Sequence, residues 1–96
     1  MRHAYVVTYD ISNPKRLRRV YRLMLGWGDH IQLSVFECEL SSRELIELRT
    51  ALSEIIDPSE DQVLFALIGR VQGRGASAIH SLGRPYIDPE RTAIVV

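Results

Sequence analysis

The chain opens on an extended pattern. Tyr5, Val7 and Tyr9 fall on one side of a strand, and Ala4, Val6 and Thr8 on the other. Both sets are largely apolar, which predicts a strand over 4–10 that is covered on both faces, with Asp10 closing it. The period then changes. Leu17, Val20, Tyr21, Met24 and Trp27 recur at the intervals of a buried helical stripe. Asn13-Pro14 supplies the helix start, a capping side chain followed by a ring already set for the first helical position. Gly26 and Gly28 supply the end.

From His30 to Leu40 the apolar positions change parity. Ile31, Leu33 and Val35 are the odd set, and Phe36, Cys38 and Leu40 the even set. A strand cannot exchange its buried face without a break, so two strand segments are expected to meet near Ser34 and Val35. Ser41-Ser-Arg-Glu44 reads as a capping box before a second helix, whose stripe is Leu45, Leu48, Leu52 and Ile55. Asp57-Pro58 stops that helix. Gln62–Ile68 is a near-continuous apolar run, again a strand covered on both faces. Residues 69–85 are looser, with a short helical turn expected over 76–80, and 92–96 reads as a final strand.

The order is therefore β-α-β-β-α-β with a terminal strand. This predicts one α+β, ferredoxin-like domain over 1–96, an antiparallel sheet with both helices on one face. Its core spans 1–70, and 71–96 forms a loop and a C-terminal strand. Such a sheet leaves one face bare, whereas strands 4–10 and 62–68 are apolar on both. A second copy of the chain is the expected cover, a homodimer in which the terminal strand extends the partner's sheet.

Charge adds a second layer. The formal net charge of the 96 residues is zero, which argues against a uniformly basic nucleic-acid binder. The zero is a sum of unlike parts, however. Residues 1–35 carry six cationic against two acidic side chains, residues 36–61 two against eight, and residues 62–96 four against two. One basic and one acidic face are expected. Lys15, Arg16, Arg18, Arg19 and Arg22 place five cations in eight positions of the first helix with no acid among them. An outer helix face normally mixes signs. The stripe therefore points to phosphate contact, with a merely solvated face as the competing reading.

Asp10 is the candidate metal ligand and catalytic group. On its own it reads equally as a turn former or as support for the following helix start. One carboxylate makes a poor site for a hard cation. Two copies of Asp10 converging on a dimer axis would hold Mg²⁺, or Mn²⁺, for phosphodiester chemistry. Ser34 and Phe36 border the strand break, Glu37 and Glu39 face away from the core, and Cys38 reads as a small core residue. A single cysteine forms no internal disulfide and fits a reducing compartment. Met1-Arg2-His3 leads directly into strand-like sequence without a signal-peptide pattern. No apolar run approaches the roughly 20 residues of a membrane span. A cytoplasmic protein without membrane attachment is expected. There is no P-loop, no GxGxxG, no CxxC and no Ser-His-Asp pattern.

An ordered set of these features resembles the small CRISPR-associated Cas-two proteins. The set comprises the strand ending Tyr9-Asp10-Ile11, the Arg-rich first helix, Gln32-Leu-Ser34-Val-Phe36-Glu37, and an acidic second helix ending Ile56-Asp57-Pro58. The resemblance covers about residues 4–70. It implies a ferredoxin-like homodimer that acts in spacer acquisition, bridging copies of the CRISPR integrase and contacting RNA or double-stranded DNA. It also implies a Mg²⁺-dependent endoribonuclease or endonuclease, with Asp10 at the family's metal-binding aspartate and Tyr9, Arg19, Ser34 and Phe36 at positions linked to the site. A catalytically inactive DNA-binding scaffold of the same complex is the alternative. A small-molecule regulatory domain and a toxin ribonuclease of the same fold are more distant ones.

Overall fold

The computed structural model describes residues 1–69 and 79–85. The elements are β1 (His3–Asp10), α1 (Pro14–Leu25), β2 (Asp29–Gln32), β3 (Val35–Leu40), α2 (Ser42–Ser53), β4 (Gln62–Leu67) and β5 (Ile79–Gly83). They form one five-stranded sheet in the order β2-β3-β1-β4-β5, with every neighbouring pair antiparallel. The βαββαβ connectivity and the order of the first four strands are the ferredoxin-like arrangement expected.

Register explains why both helices share one face. Val7 pairs with Phe36 on one side and Phe65 on the other, and Tyr5 pairs with Cys38 and Leu67. These residues project to the same side of the pleat. They form one core with Val20 and Met24 of α1 and Leu48 and Leu52 of α2. The four helix residues, with Val7, Phe36 and Phe65, are completely buried, and each such side chain contributes about 1.5–3 kcal/mol by leaving water. On the opposite face Val6, Leu64 and Ala66 are half-buried, with exposed Glu37 and Glu39 beside them.

Helix starts follow the sequence signals. The Asn13 side chain accepts from the backbone N–H groups of Lys15 and Arg16, with Pro14 in the first turn. Ser41 and Glu44 exchange both hydrogen bonds of the capping box, at 2.9 and 3.1 Å. The parity break is a hairpin: β2 and β3 meet across Leu33 and Ser34, with a register shift between His30 and Gln32.

Three expectations change. Ile31 and Leu33, grouped with Val35 as an apolar set, are 56% and 85% exposed, because β2 is the edge strand of the sheet and among the described residues no strand pairs with its outer side. Leu17 and Tyr21, placed on the buried stripe of α1, are each 37% exposed. The core takes Val20 and Met24, and the other two sit at the rim where the sheet runs out. Residues 79–80, expected in a helical turn over 76–80, belong to β5, which pairs with β4 of the same chain. Gly83, Pro85, His80 and Ser81 read as loop, whereas the open edge of β4 carries backbone groups that a strand satisfies. The terminal strand expected at 92–96 lies outside the described residues.

Candidate functional site

The pleat of β1 separates two residues adjacent in sequence. Tyr9 points into the helix-covered side and is buried. Asp10, the last residue of the strand, is exposed. Its carboxylate is not free: Nη2 of Arg84 donates to Oδ2 at 2.6 Å, in an ion pair whose side chains are 75% and 41% exposed for Asp10 and Arg84. The end of β5 brings the arginine there. Gly83 adopts φ +93 where a Cβ would collide with the carbonyl of Asp61, a conformation that favours glycine. The Arg84 N–H donates to that carbonyl at 2.7 Å. The Gln62 amide donates to the carbonyls of Arg84 and Pro85 at 3.0 and 2.8 Å.

Directly after Asp10 lies a buried anchor that no pattern in the sequence marks. Asp61 is completely buried. It accepts from Ser12 N–H at 3.0 Å, Asp57 N–H at 2.8 Å and Arg16 Nε at 2.8 Å. Burial alone would raise its pKa. The hydrogen bonds from Arg16 and from the two backbone N–H groups override that cost and hold the carboxyl down at about 2. Arg16 also reaches Glu60 at 3.1 Å. The sequence pattern groups this arginine with the phosphate-binding stripe, but its guanidinium is engaged within the chain, tying the first turn of α1 to the start of β4.

Lys15, Arg18, Arg19 and Arg22 are all exposed. None of the four makes an ion pair among the described residues. At about 3.6 residues per turn they share one side of α1, a continuous positive surface.

Tyr9, Ser34 and Phe36 do come together. The Tyr9 N–H donates to the Ser34 carbonyl at 3.1 Å, and the Tyr9 and Phe36 rings stack with centroids 6.2 Å apart. Burial raises the Tyr9 pKa, Tyr21 adds to the rise, and a hydrogen bond with Ser34 opposes it. This cluster lies on the helix side of the sheet, away from the Asp10 carboxylate. Cys38 is buried in the core, and burial pushes its thiol up to about 11, helped by Asp29 and Glu37. That suits packing and excludes a ready nucleophile.

Among the described residues no group of three or more His, Cys, Asp or Glu side chains is placed to hold a metal. Asp10 offers one carboxylate per chain, already paired with a guanidinium. A hard cation takes about six or more oxygens, so one chain does not fit Mg²⁺.

Residues 2–74 match the family described as CRISPR associated protein Cas2. The chain belongs to that family. It is 40% identical over 94 residues to a CRISPR-associated endoribonuclease Cas2 of Rhodospirillum rubrum, covering 98% of this chain and 91% of the relative. The likeness to the CRISPR-associated endoribonuclease Cas2 of Geobacter sulfurreducens is 36% over 96 residues, the full length of both. Among solved structures it resembles Streptococcus pyogenes Cas2 with a TM-score of 0.65 and 36% identity, over 75% of this chain and 99% of that one. A hypothetical protein from Thermus thermophilus gives a TM-score of 0.70 at 32% identity, over 80% of this chain and 95% of that one. The ferredoxin-like fold described above is therefore shared with solved Cas2 structures.

Proposed function

We propose that this family member is a homodimeric, nucleic-acid-binding endonuclease of CRISPR adaptation, acting in the cytoplasm beside the CRISPR integrase. The observation that carries this reading is the exposed set Lys15, Arg18, Arg19 and Arg22, without an ion pair among the described residues and beginning five residues after an exposed carboxylate at the end of β1. Positive surfaces of this kind hold phosphates and release counterions. The relatives' designation as endoribonucleases supports hydrolysis of phosphodiesters. The half-buried apolar residues on the bare sheet face, Val6, Leu64 and Ala66, support a second copy as its cover.

In this reading the basic side of α1 positions an RNA or DNA backbone. Asp10 carboxylates from two copies would hold one Mg²⁺ or Mn²⁺, which when bound lowers the pKa of water and stabilises charge on a phosphoryl group. The contact of Arg84 with Asp10 favours a second reading, a scaffold that binds DNA without cutting. In that reading the carboxylate serves to hold the β5 end.

The test is Asp10→Asn, compared with Arg18→Ala plus Arg22→Ala, assayed for cleavage and binding in Mg²⁺ and in EDTA. Cleavage that vanishes in Asp10→Asn while binding persists supports the nuclease. Cleavage that survives Asp10→Asn sinks Asp10 as the catalytic group. The double arginine variant should bind all sequences more weakly, with a salt slope shallower by about 0.9 per lost duplex phosphate contact. Unaltered binding would return the stripe to a solvated face. A monomeric mass by light scattering at micromolar concentration would remove the paired-carboxylate site.

A further inference from the structure

The apolar rim that the core leaves uncovered is shaped. Leu17 and Tyr21 of α1 face the β2–β3 hairpin across a groove of about 350 Å³. Leu33 at the hairpin turn and the ring of His30 line the other side, and Tyr9 and Ser34 line the groove as well. An apolar opening of this size falls at the lower end of small-ligand sites.

Its walls are aromatic and held in place. Tyr21 meets His30 edge-on, with centroids 5.3 Å apart and planes at 78°. His30 lies over the completely buried Phe36 at 4.8 Å. Nε2 of His30 is 2.7 Å from the Leu33 carbonyl, which only accepts, so that nitrogen carries the proton. In the neutral ring Nδ1 is then an acceptor. The groove thus offers flat apolar surfaces and a polar ring edge at fixed positions.

Charge identifies the occupant. Around the helix axis Arg18 lies between the Leu17–Tyr21 ridge and Arg22, and it belongs to both the groove lining and the cationic side. A strand whose phosphates lay on Arg18 and Arg22 would pass the groove mouth, which Arg18 also lines, with its bases within reach of the opening. A base in a duplex is stacked and paired, and so unavailable. An unpaired base has both faces free, and stacking on an aromatic side chain is worth about 1–3 kcal/mol per base.

We propose that the groove between α1 and the β2–β3 hairpin binds one unpaired nucleobase against Tyr21 while Arg18 and Arg22 hold its backbone. This rests on the reading of α1 as the nucleic-acid face, and it makes single-stranded segments the preferred ligand. RNA and DNA share the base chemistry.

The test uses the full chain with a 12-nucleotide single-stranded RNA, the matching DNA, the DNA with abasic sites, and a blunt duplex. Tyr21→Ala should weaken binding of both single strands by about 5- to 150-fold, the stacking range at 25 °C, and leave the duplex unchanged. Tyr21→Phe should retain binding, and abasic DNA should show little difference between wild type and Tyr21→Ala. Leu33→Ser, at an 85% exposed position, gives the same readout without burdening the fold and decides the matter where Tyr21→Ala does not fold. Equal losses on duplex and single strand, or no loss on either, overturn the base site while the basic face stands. A change in oligomeric mass on Tyr21→Ala overturns it in favour of a second copy in the groove. Wild type that binds neither ligand overturns both this inference and the reading beneath it.

Discussion

The two helices are the same length and do the same work in the core, yet their outer sides are built on different principles. Each runs twelve residues and buries two side chains completely, Val20 and Met24 in α1, Leu48 and Leu52 in α2. The surface charges of α2 are mixed and matched. Glu44 closes the capping box and takes Arg2 at 2.8 Å, Arg43 meets Glu47 at 3.5 Å, and Arg49 lies 5.5 Å over the Phe65 ring. In α1 no residue is acidic, and Lys15–Arg19 and Arg18–Arg22 are like charges at i, i+4, which cost helix stability. A helix shaped only for folding looks like α2. The unrelieved charge of α1 becomes useful when something anionic is laid against it.

The largest effect expected concerns how α1 is anchored. The start of α2 is fixed locally, by Ser41 and Glu44 three residues apart. The start of α1 depends in addition on Arg16 and Asp61, 45 residues apart. Breaking a buried charge pair from one side costs about 3–5 kcal/mol. Arg16 is partly exposed, so Asp61→Asn should cost about 3 kcal/mol in denaturant unfolding. The sign in pH follows from the depressed pKa. The carboxyl titrates near 3.9 when unfolded and at about 2 when folded. Its contribution is complete above about pH 4 and is lost as pH falls from there toward 2. Wild type should therefore lose stability across that window, and Asp61→Asn should lose less. An equally steep acid limb in both would mean that other carboxylates carry it.

A smaller effect is expected at Asp10, at the end of β1. Asp10 takes its partner from the end of β5, and no cation of the α1 stripe pairs with it among the described residues. An exposed ion pair is worth about 0.2–1 kcal/mol. If Arg84 and a divalent cation compete for this carboxylate, Arg84→Ala should tighten Mn²⁺ binding by about 1.4- to 5-fold, the same energy expressed as a ratio. The signal of free Mn²⁺ in electron paramagnetic resonance measures this directly. Weaker binding would show instead that Arg84 holds Asp10 in place for the metal.

Much of this contrast was legible in the sequence, because it rests on local signals. The helix caps, the buried half of each apolar stripe, the hairpin break and the one-signed run from Lys15 to Arg22 are all patterns over a few residues, and each is present in the structure. What was not legible depends on long-range pairing. Asp61 is one acid in an acidic stretch, and only its place under Ser12 and Arg16 makes it a buried anchor. Arg84 meets Asp10 from 74 residues away. Leu17 and Tyr21 have the right period for the core, but the sheet ends before it covers them. Periodicity gives the direction of a side chain and not the extent of the surface opposite. Arg16 reads as part of the phosphate-binding stripe for the same reason: its charge is visible in the chain and its partner is not.

The smallest effect separates folding from binding most cleanly. Arg18→Glu places an acid four residues before Arg22, the favourable orientation for a helical ion pair. It removes one like-charge repulsion and adds one attraction, each worth about 0.2–0.5 kcal/mol. The variant should be more stable than wild type by about 0.5 kcal/mol at low salt, and the gain should fade as added salt screens the exposed charges. The same change takes a cation from the phosphate surface and from the mouth of the aromatic groove, so nucleic-acid affinity should fall. A gain in stability with a loss of binding is what a functional charge produces, since its cost is borne in the free protein. If Arg18→Glu instead lowers stability, the guanidinium is supporting the fold, and the outer side of α1 is closer to that of α2 than its sequence suggests.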